Sequence, residues 1–440
     1  MFVKILPMLL TLMFRFFGLF IILPVISVTI DSIANATYMS VGIALGVPYL
    51  VQIFTQPIFG RISDKFDRRH VVIVGIIIFV IGNIVCALSP NIEILILGRV
   101  IEGIGAIGGV LSAMVADSVK EEFRIRAMAI MGIGIFVSFV VAIIVGLVVG
   151  THFGLRSLFW ISAILNLISI LFVLKAKKIE KIRYDYHRKD RATSKSIYLL
   201  SGSVLLEKFF MTATFMIAPL LLSETFGVSK TNLYMVYIPG LVLGILAMGV
   251  GSMLSEKRNK NYLVLVLSVF MFVVAYVFMY YSISFVIFGI GLIFFFMGFV
   301  VQEALLQGLV SKLCLASQRG RVLGDFNAFG FAGSFLGAFL GGFAHAGAIT
   351  SSSYNTIFII AIIVAAIWFI LVALIFKNPK KNATFYVESS KVDDADLKQL
   401  DSLKSIVEYY KNETQGVVTI KYRANELDPK ELNAMLHLKA

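Results

Sequence analysis

Twelve stretches of about 20 mostly apolar residues divide this 440-residue chain, and they limit what it can fold into. A helix needs about 20 such residues to cross the hydrocarbon core of a bilayer. Because backbone groups in lipid must be paired within their own segment, we expect each stretch to be a helix. The predicted spans are Leu6–Ile26, Met39–Phe59, Val71–Leu88, Ile92–Val115, Ala127–Val149, Leu158–Leu174, Ile197–Leu222, Tyr234–Met253, Leu263–Tyr281, Ser284–Val310, Val322–Phe343 and Ile357–Phe376.

The composition excludes a soluble enzyme and a nucleic-acid binder. Hydrophobic residues make up 59% of the chain and charged residues 15%, whereas soluble proteins average about half and a quarter. The two cysteines, Cys86 and Cys314, lie in or beside apolar runs and provide neither a disulfide framework nor a metal site. The histidines are scattered, so we expect no metal, no cofactor and no enzymatic activity.

The loops predict the orientation of the spans. One alternate set of loops carries 23 basic residues and the other set carries only Arg156 and Lys230. Because basic loops stay in the cytoplasm, both termini and the central loop are predicted to be cytoplasmic.

A polar, basic loop and an internal repeat divide the spans six and six. The Arg-x-Arg pair at Arg124 and Arg126 recurs 195 residues later at Arg319 and Arg321, in the matching loop. Two such halves are a transporter architecture, with the binding site near the midplane between them. We predict an N-terminal six-helix half (1–174), a cytoplasmic linker (175–196), a C-terminal six-helix half (197–377) and a separate tail (382–440).

The tail differs from the rest of the chain because it is water-soluble in character. Its patterns predict the order βαββα, with a hairpin loop at Lys411–Gln415 and a last helix that begins at Asp428 and Pro429. This order is a ferredoxin-like fold without its last strand. The predicted fold class is therefore an all-α membrane protein of twelve transmembrane helices with a small α+β ferredoxin-like C-terminal domain. We expect the domain to regulate or dock, and its free sheet edge allows self-association.

Several motifs carry a resemblance to a known family. The loop after the second span reads Gly60-Arg-Ile-Ser-Asp64-Lys-Phe-Asp67-Arg68-Arg, and the fourth span contains Gly98-Arg99-Val-Ile-Glu102-Gly-Ile-Gly-Ala. The first resembles the signature loop of the major facilitator superfamily. The second is similar to a motif of its drug:proton antiporter branch. The first and tenth spans and the tail narrow the resemblance to YajR-type transporters, whose tail is a YAM-like domain.

The sequence departs from the family patterns at three positions. Asp67 replaces a glycine whose backbone often has a positive φ, and Glu102 replaces a glutamine. The fifth span has Leu147 where the antiporter motif has a proline. Because of the last departure, the motifs support transport in general more strongly than antiport in particular.

The resemblance implies a conformational latch at the cytoplasmic mouth, formed by Gly60, Asp64, Arg68 and Asp117. In the family, the Asp and Arg of the signature loop contact an acid of the fourth span and the N-terminus of the eleventh. This latch keeps the cytoplasmic side shut in the outward-open state. The alternative is that these charges only set the topology.

Six charged or polar residues at membrane depth are candidates for proton coupling or for lining the cavity, because charges there are costly and mark pathways. Arg99 and Glu102 are three residues apart and can pair. Glu303 has no basic neighbour within one turn and should prefer its neutral form, as a proton carrier requires. Glu207 and Lys208 are about 100° apart on the seventh span, and Lys208 is our choice for the cavity. Arg15 is expected either to provide charge to the cavity or to clamp two helices. The full set is Arg15, Arg99, Glu102, Lys208, Gln302 and Glu303.

The sequence thus predicts a multi-pass protein of the bacterial inner membrane that exports small, lipophilic or drug-like molecules against proton entry by alternating access. Its partners are a small-molecule substrate, protons and the lipid bilayer, and no nucleic acid. One alternative is a proton-coupled uptake symporter of a small metabolite. The other is a non-transporting membrane sensor that signals through the tail.

Overall fold

Twelve spans of the described chain are long and apolar enough to cross a membrane, which confirms the predicted count. The computed structural model describes residues 2–176, 184–186, 195–256, 258–315, 319–347, 351–378, 382–403 and 405–436. Eleven spans are built on one long helix each, and the fourth has two. The helices are Phe2–Phe20, Tyr38–Lys65, Arg68–Leu88, Ile92–Ile104 with Gly108–Ser118, Glu121–Phe153, Leu155–Lys175, Lys195–Leu220, Leu233–Glu256, Asn261–Tyr280, Phe285–Leu313, Arg319–Gly347 and Ser351–Ile375.

The first and fourth spans differ from the predicted continuous helices. The first helix ends at Phe20 instead of Ile26, because Pro24 has no N–H to continue the hydrogen-bond ladder. Buried turns follow, in which the N–H of Leu23 bonds to the carbonyl of Phe20. The fourth span is broken at residues 105–107. Irregular backbone at membrane depth is tolerated only where other groups in the protein satisfy it.

Glycines bring the second, seventh and eleventh spans into close contact. A Cβ on Gly42 of the second span would meet the Ala338 carbonyl oxygen and Gly342 of the eleventh. On another face of the eleventh span, Gly333 and Gly337 lie against the seventh-span backbone. The glycine spacing of the eleventh span predicts such close packing, and the structure confirms it.

The two ends of the bundle differ. We call the end with the many basic loops, including Lys65–Arg69, the basic end, and the other the opposite end. At the opposite end the halves are joined by a hydrogen bond from Tyr38 Oη to Glu224 Oε1 at 3.2 Å. The exposed ion pair between Lys230 and Asp31, at 3.5 Å, also links the halves there.

The tail has the predicted βαββα order. Strand β2 (Asn382–Glu388) is followed by the helix Asp394–Gln399, then by strands β3 (Ile406–Asn412) and β4 (Val417–Arg423), and last by the helix Pro429–Met435. Buried Leu397, Ile420 and Leu432 belong to its separate apolar core.

The linker adds a strand that the sequence did not predict. Strand β1 (Tyr184–Tyr186) pairs antiparallel with β3, so that the sheet has the order β1-β3-β4-β2. The sixth-span helix ends at Lys175 and the seventh begins at Lys195, on either side of this strand. The division of the chain into four units stays a prediction.

Candidate functional site

Arg15 occupies the break in the fourth span. Its Nε donates to the Gly105 carbonyl at 3.3 Å, and its Nη2 donates to the carbonyls of Glu102 at 3.2 Å and Gly105 at 3.3 Å. Thr55 of the second span donates to the Gly103 carbonyl at 3.0 Å. The carbonyls of Glu102, Gly103 and Gly105, at the break, are therefore paired inside the protein. Arg15 is a clamp between helices, the second of its two predicted roles.

Arg99 and Glu102 form the predicted pair, and both side chains are completely enclosed. Arg99 Nε also donates to the Ala44 carbonyl at 3.1 Å, which ties the fourth span to the second. Arg15 is almost as deeply buried. These three residues brace the N-terminal half and do not line an open space, contrary to the expectation that they reach the cavity.

Lys208 joins the seventh span to the tenth. Its Nζ forms an ion pair with Glu303 Oε2, and the two side chains stay 17% and 25% exposed. Glu303 has no basic neighbour on its own helix, but the expectation that it lacks a nearby cation is wrong, because Lys208 reaches it from a helix 95 residues away in sequence. The other charged candidates at membrane depth are buried, whereas the side chains of this pair are partly exposed.

Glu207 belongs to the same cluster. Its Oε1 lies 3.6 Å from Lys208 Nζ, although its side chain is completely buried. The helical angle between neighbouring residues predicts that they point apart. The flexible four-carbon stem of lysine lets the ammonium reach both carboxylates. Glu207 is a site residue that sequence reasoning set aside, and its position beside Lys208 was the available signal.

Two further polar side chains lie at this depth. Gln302 is fully buried, and its amide has no hydrogen-bond partner among the described residues. Tyr49 of the second span packs against Phe331 of the eleventh, with ring centroids 6.4 Å apart. Tyr49 therefore lies where the second span meets the eleventh, a position that the sequence alone did not reveal.

A cavity of about 800 Å³ opens between the second, seventh and eleventh spans toward the basic end. The second and eleventh spans touch from the opposite end as far as Tyr49 and Phe331, and they separate beyond that contact. Lys208 lies three residues beyond Leu205, and therefore near it on the same helix face. The cavity is lined mainly by apolar side chains: Ile53, Ile197, Tyr198, Ser201, Leu205, Arg321, Val322, Asp325, Ala328, Phe329 and Ala332.

The predicted latch residues lie at the basic end, and two of them form a close ion pair. Arg68 pairs with Asp117 and so joins the third span to the fourth. Asp64 Oδ1 is 3.9 Å from Arg68 Nη2, and its side chain is 72% exposed. A Cβ on Gly60 would meet no described atom within 4 Å. The structure thus shows the Arg68–Asp117 contact together with an exposed Asp64.

Asp67 replaces the family glycine without strain, because its φ is −62°. Its Oδ1 accepts a hydrogen bond from the backbone N–H of Arg69 at 2.9 Å and caps the third helix. The Arg69 guanidinium donates to Oδ2 at 2.9 Å. Hydrogen bonds from Arg69, chiefly those from its side chain, lower the pKa of Asp67 to about 2.

Twelve spans, a broken helix at membrane depth and a charged cluster beside a cavity define a membrane transporter. The sequence model of the Major Facilitator Superfamily matches residues 8–338. Because this match covers well over half of the chain, the chain belongs to the Major Facilitator Superfamily and has its fold.

Curated relatives agree with this membership, and a solved structure shares the fold. The inner membrane transport protein YajR of Escherichia coli K12 is 27% identical over 328 residues, which cover 72% of each chain. The multidrug resistance protein MdtL of Salmonella paratyphi C is 30% identical over 215 residues, which cover 44% of this chain and 52% of that protein. A bacterial homologue of the lysosomal transporter Spinster, solved in an inward-facing state, superposes with a TM-score of 0.70 at 16% identity. It covers 84% of this chain and 96% of that structure.

Proposed function

We propose that this protein exports small, lipophilic molecules across the bacterial inner membrane in exchange for protons. The family supports transport, and the similarity to YajR supports the inner membrane. The partial similarity to MdtL supports export of drug-like compounds. The excess of basic residues at one end supports a cytoplasmic position for the basic end.

The observation that carries the proposal is the Lys208–Glu303 ion pair. It joins two helices beside the cavity, and both side chains are partly exposed. A proton on Glu303 removes the negative charge that attracts Lys208. Binding and release of the proton therefore change the net charge of the site. Protons that enter from outside and leave to the cytoplasm can drive a substrate the other way through the same site.

The substrate class follows from the cavity. Its volume of about 800 Å³ lies within the range of about 300–1,000 Å³ that is typical of sites for drug-sized molecules. Aliphatic and aromatic side chains form most of its wall, with Arg321 and Asp325 among the polar exceptions. These features favour a lipophilic guest that carries a small polar group.

Proton-coupled uptake is the second candidate, and the fifth span favours it. This helix runs unbroken from Glu121 to Phe153, and Leu147 takes the place of the family proline. A Cβ on the neighbouring Gly146 would meet the carbonyl oxygen of Ile21, so the fifth span packs directly against the first. Simultaneous measurement of proton and substrate flux in vesicles separates the two directions.

The test of the proposal is Glu303→Gln in proteoliposomes. A dye and antibiotic screen in an efflux-deficient host first provides a transported compound. We expect Glu303→Gln to abolish uphill transport driven by a pH gradient, while counterflow of labelled substrate continues. The matched control is Glu93→Gln, since Glu93 is exposed in the first turn of the fourth span.

Two results contradict the proposal. Full pH-driven transport by Glu303→Gln would remove the coupling role from this residue. Absence of counterflow in the folded wild-type protein, for every compound of the screen, would favour the membrane sensor instead.

A further inference from the structure

Two side chains of the tail contact the ends of two membrane helices. Gln415 Nε2 donates to the Val119 carbonyl at 3.1 Å. Lys421 Nζ donates to the Cys314 carbonyl at 3.2 Å and to the Lys312 carbonyl at 3.4 Å. Val119 and Cys314 directly follow the last helical residues of the fourth and tenth spans. The last carbonyls of a helix have no partner within it, and a cation or donor there is favourable.

The two contact points are equivalent positions of the internal repeat. Val119 and Cys314 are 195 residues apart, the same offset that relates Arg124 to Arg319. The tail therefore contacts the same carbonyl in each half. One small domain bridges the two halves at the basic end.

The bridge has a fixed length. Gln415 lies in the turn between β3 and β4, and Lys421 lies within β4. From Val417 to Lys421, four steps at the rise of an extended strand span about 13 Å. The N–H of Gln415 bonds to Asn412 Oδ1 at 3.0 Å, and Lys421 pairs with the buried Glu408 at 3.6 Å. Both contacts are thus set by the folded sheet.

The linker between the halves is attached to the same domain. Strand β1 pairs with the last three residues of β3, next to the turn that carries Gln415. A segment of the covalent connection between the halves thus lies on the sheet that bridges them.

We propose that the C-terminal domain is a brace that holds the transporter open at the basic end. The cavity opens at this end while the halves are joined at the opposite end. For the site to open at the opposite end, the basic ends of the halves must approach each other. A bridge of fixed length fits one spacing, so at least one of its contacts breaks in each cycle. A signal that releases the domain therefore raises the population that is closed at the basic end.

The test measures the separation of the halves in the full chain. Spin labels replace the exposed Arg61 of the second span and the exposed Arg321 of the eleventh. The native cysteines are changed to alanine, and Cys314→Ala keeps the backbone carbonyl that Lys421 contacts. Electron–electron distance measurements then compare the parent with Gln415→Ala, with Lys421→Met and with both together.

We expect each variant to increase the short-distance population. A hydrogen bond of ordinary net strength changes an equilibrium about five-fold, and we expect this factor for Gln415→Ala. The matched control is Glu413→Ala, an exposed residue of the same turn, which should leave the distances unchanged.

Two outcomes overturn the brace. One is an unchanged distance distribution in Gln415→Ala, and the other is a shift toward longer distances. Lys421 also pairs with Glu408 inside the sheet, so Lys421→Met can unfold the domain. In that case Gln415→Ala alone tests the brace. The measurement needs no substrate, so its result does not depend on the proposed transport activity.

Discussion

Lys208 of the seventh span and Glu303 of the tenth form an ion pair beside the cavity, although 95 residues separate them. Glu207 Oε1 lies 3.6 Å from the same ammonium group. Two carboxylates thus share one cation at membrane depth. The cluster stabilises the C-terminal half only while the positive charge is present.

Lys208→Glu and Glu303→Lys should each destabilise the protein, and the double variant, which exchanges the two charges, should restore most of the stability. Lys208→Glu gathers three acids, and Glu303→Lys places two cations together. We expect each to lower the free energy of unfolding by about 3 kcal/mol or more, and the double variant to recover most of the loss. Thermal unfolding in detergent provides the double-mutant cycle.

The exposed pair Lys230–Asp31 is the control for this exchange. Its side chains are 51% and 85% exposed, so its coupling should stay below about 1 kcal/mol. Equal coupling energies for the two pairs would show that Lys208 and Glu303 do not interact as the structure indicates.

Removal of the Arg15 clamp should destabilise the N-terminal half. Arg15→Met takes away the side-chain donors to the Glu102 and Gly105 carbonyls, and the Gly105 carbonyl keeps only the N–H of Ile107. We expect a loss of about 3 kcal/mol, measured as a lower unfolding temperature. Arg61→Met, at an exposed position of the second span, should change it little. A loss below about 1 kcal/mol for Arg15→Met would show that the Arg15 hydrogen bonds do not stabilise the break.

Asp64→Asn and Asp117→Asn should both reduce transport while the protein still inserts with the same topology. Basic residues set topology, and neither change alters one. Asp117→Asn also removes the charge of the closer carboxylate partner of the part-buried Arg68, so it should lower the stability of the state seen here more than Asp64→Asn does. Flux assays and unfolding temperatures separate the two effects. Normal transport by a well-expressed Asp64→Asn protein would exclude the latch.

Asp67, at the start of the third span, should make a pH-dependent contribution to the stability of the folded protein. Its lowered pKa, about 2, means that its charge stabilises the folded state above the unfolded pKa near 4. This stabilisation is lost as the pH falls toward 2. Asp67→Asn keeps the helix cap and removes the charge, so its stability should approach that of the wild type between pH 5 and pH 2. Asp67→Ala should lose about 1 kcal/mol more, since the cap disappears too. A difference between the wild type and Asp67→Asn that does not change with pH would contradict this assignment.

A chain that ends near Asn382 should insert and still transport. The predicted site residues lie before this point, and the tail contacts the membrane helices through few side chains. Flux in proteoliposomes should persist at a changed rate, because the brace is absent. Complete loss of flux in a stable truncated protein would make the tail part of the transport step.

The sequence predicts those features that depend on residues close together in the chain. The apolar runs, the tail strands and the three-residue spacing of Arg99 and Glu102 each depend on neighbours within a few turns. The loop charges predict which spans end on the same side of the membrane. They therefore place Arg68 and Asp117 at the same end of the bundle, where the two form an ion pair.

What the residue pattern alone does not predict depends on contacts between distant segments. Lys208 is placed near Glu303 only by the family resemblance, and strand β1 is only three residues long. The break in the fourth span needs Arg15 to pair its carbonyls, so the helix pattern of residues 92–115 alone predicts no break. Each of these features is stabilised by a partner that lies far away in the chain.

The clamp of Arg15 also determines the order of events during synthesis. The guanidinium emerges from the ribosome 87 to 90 residues before the carbonyls that it binds. At about 5–20 residues per second, this gap lasts roughly 5 to 20 s. An arginine at the centre of a helix costs about 2.5–3.5 kcal/mol to insert. Until the fourth span arrives, the first span carries this cost or keeps its guanidinium hydrated at the membrane surface.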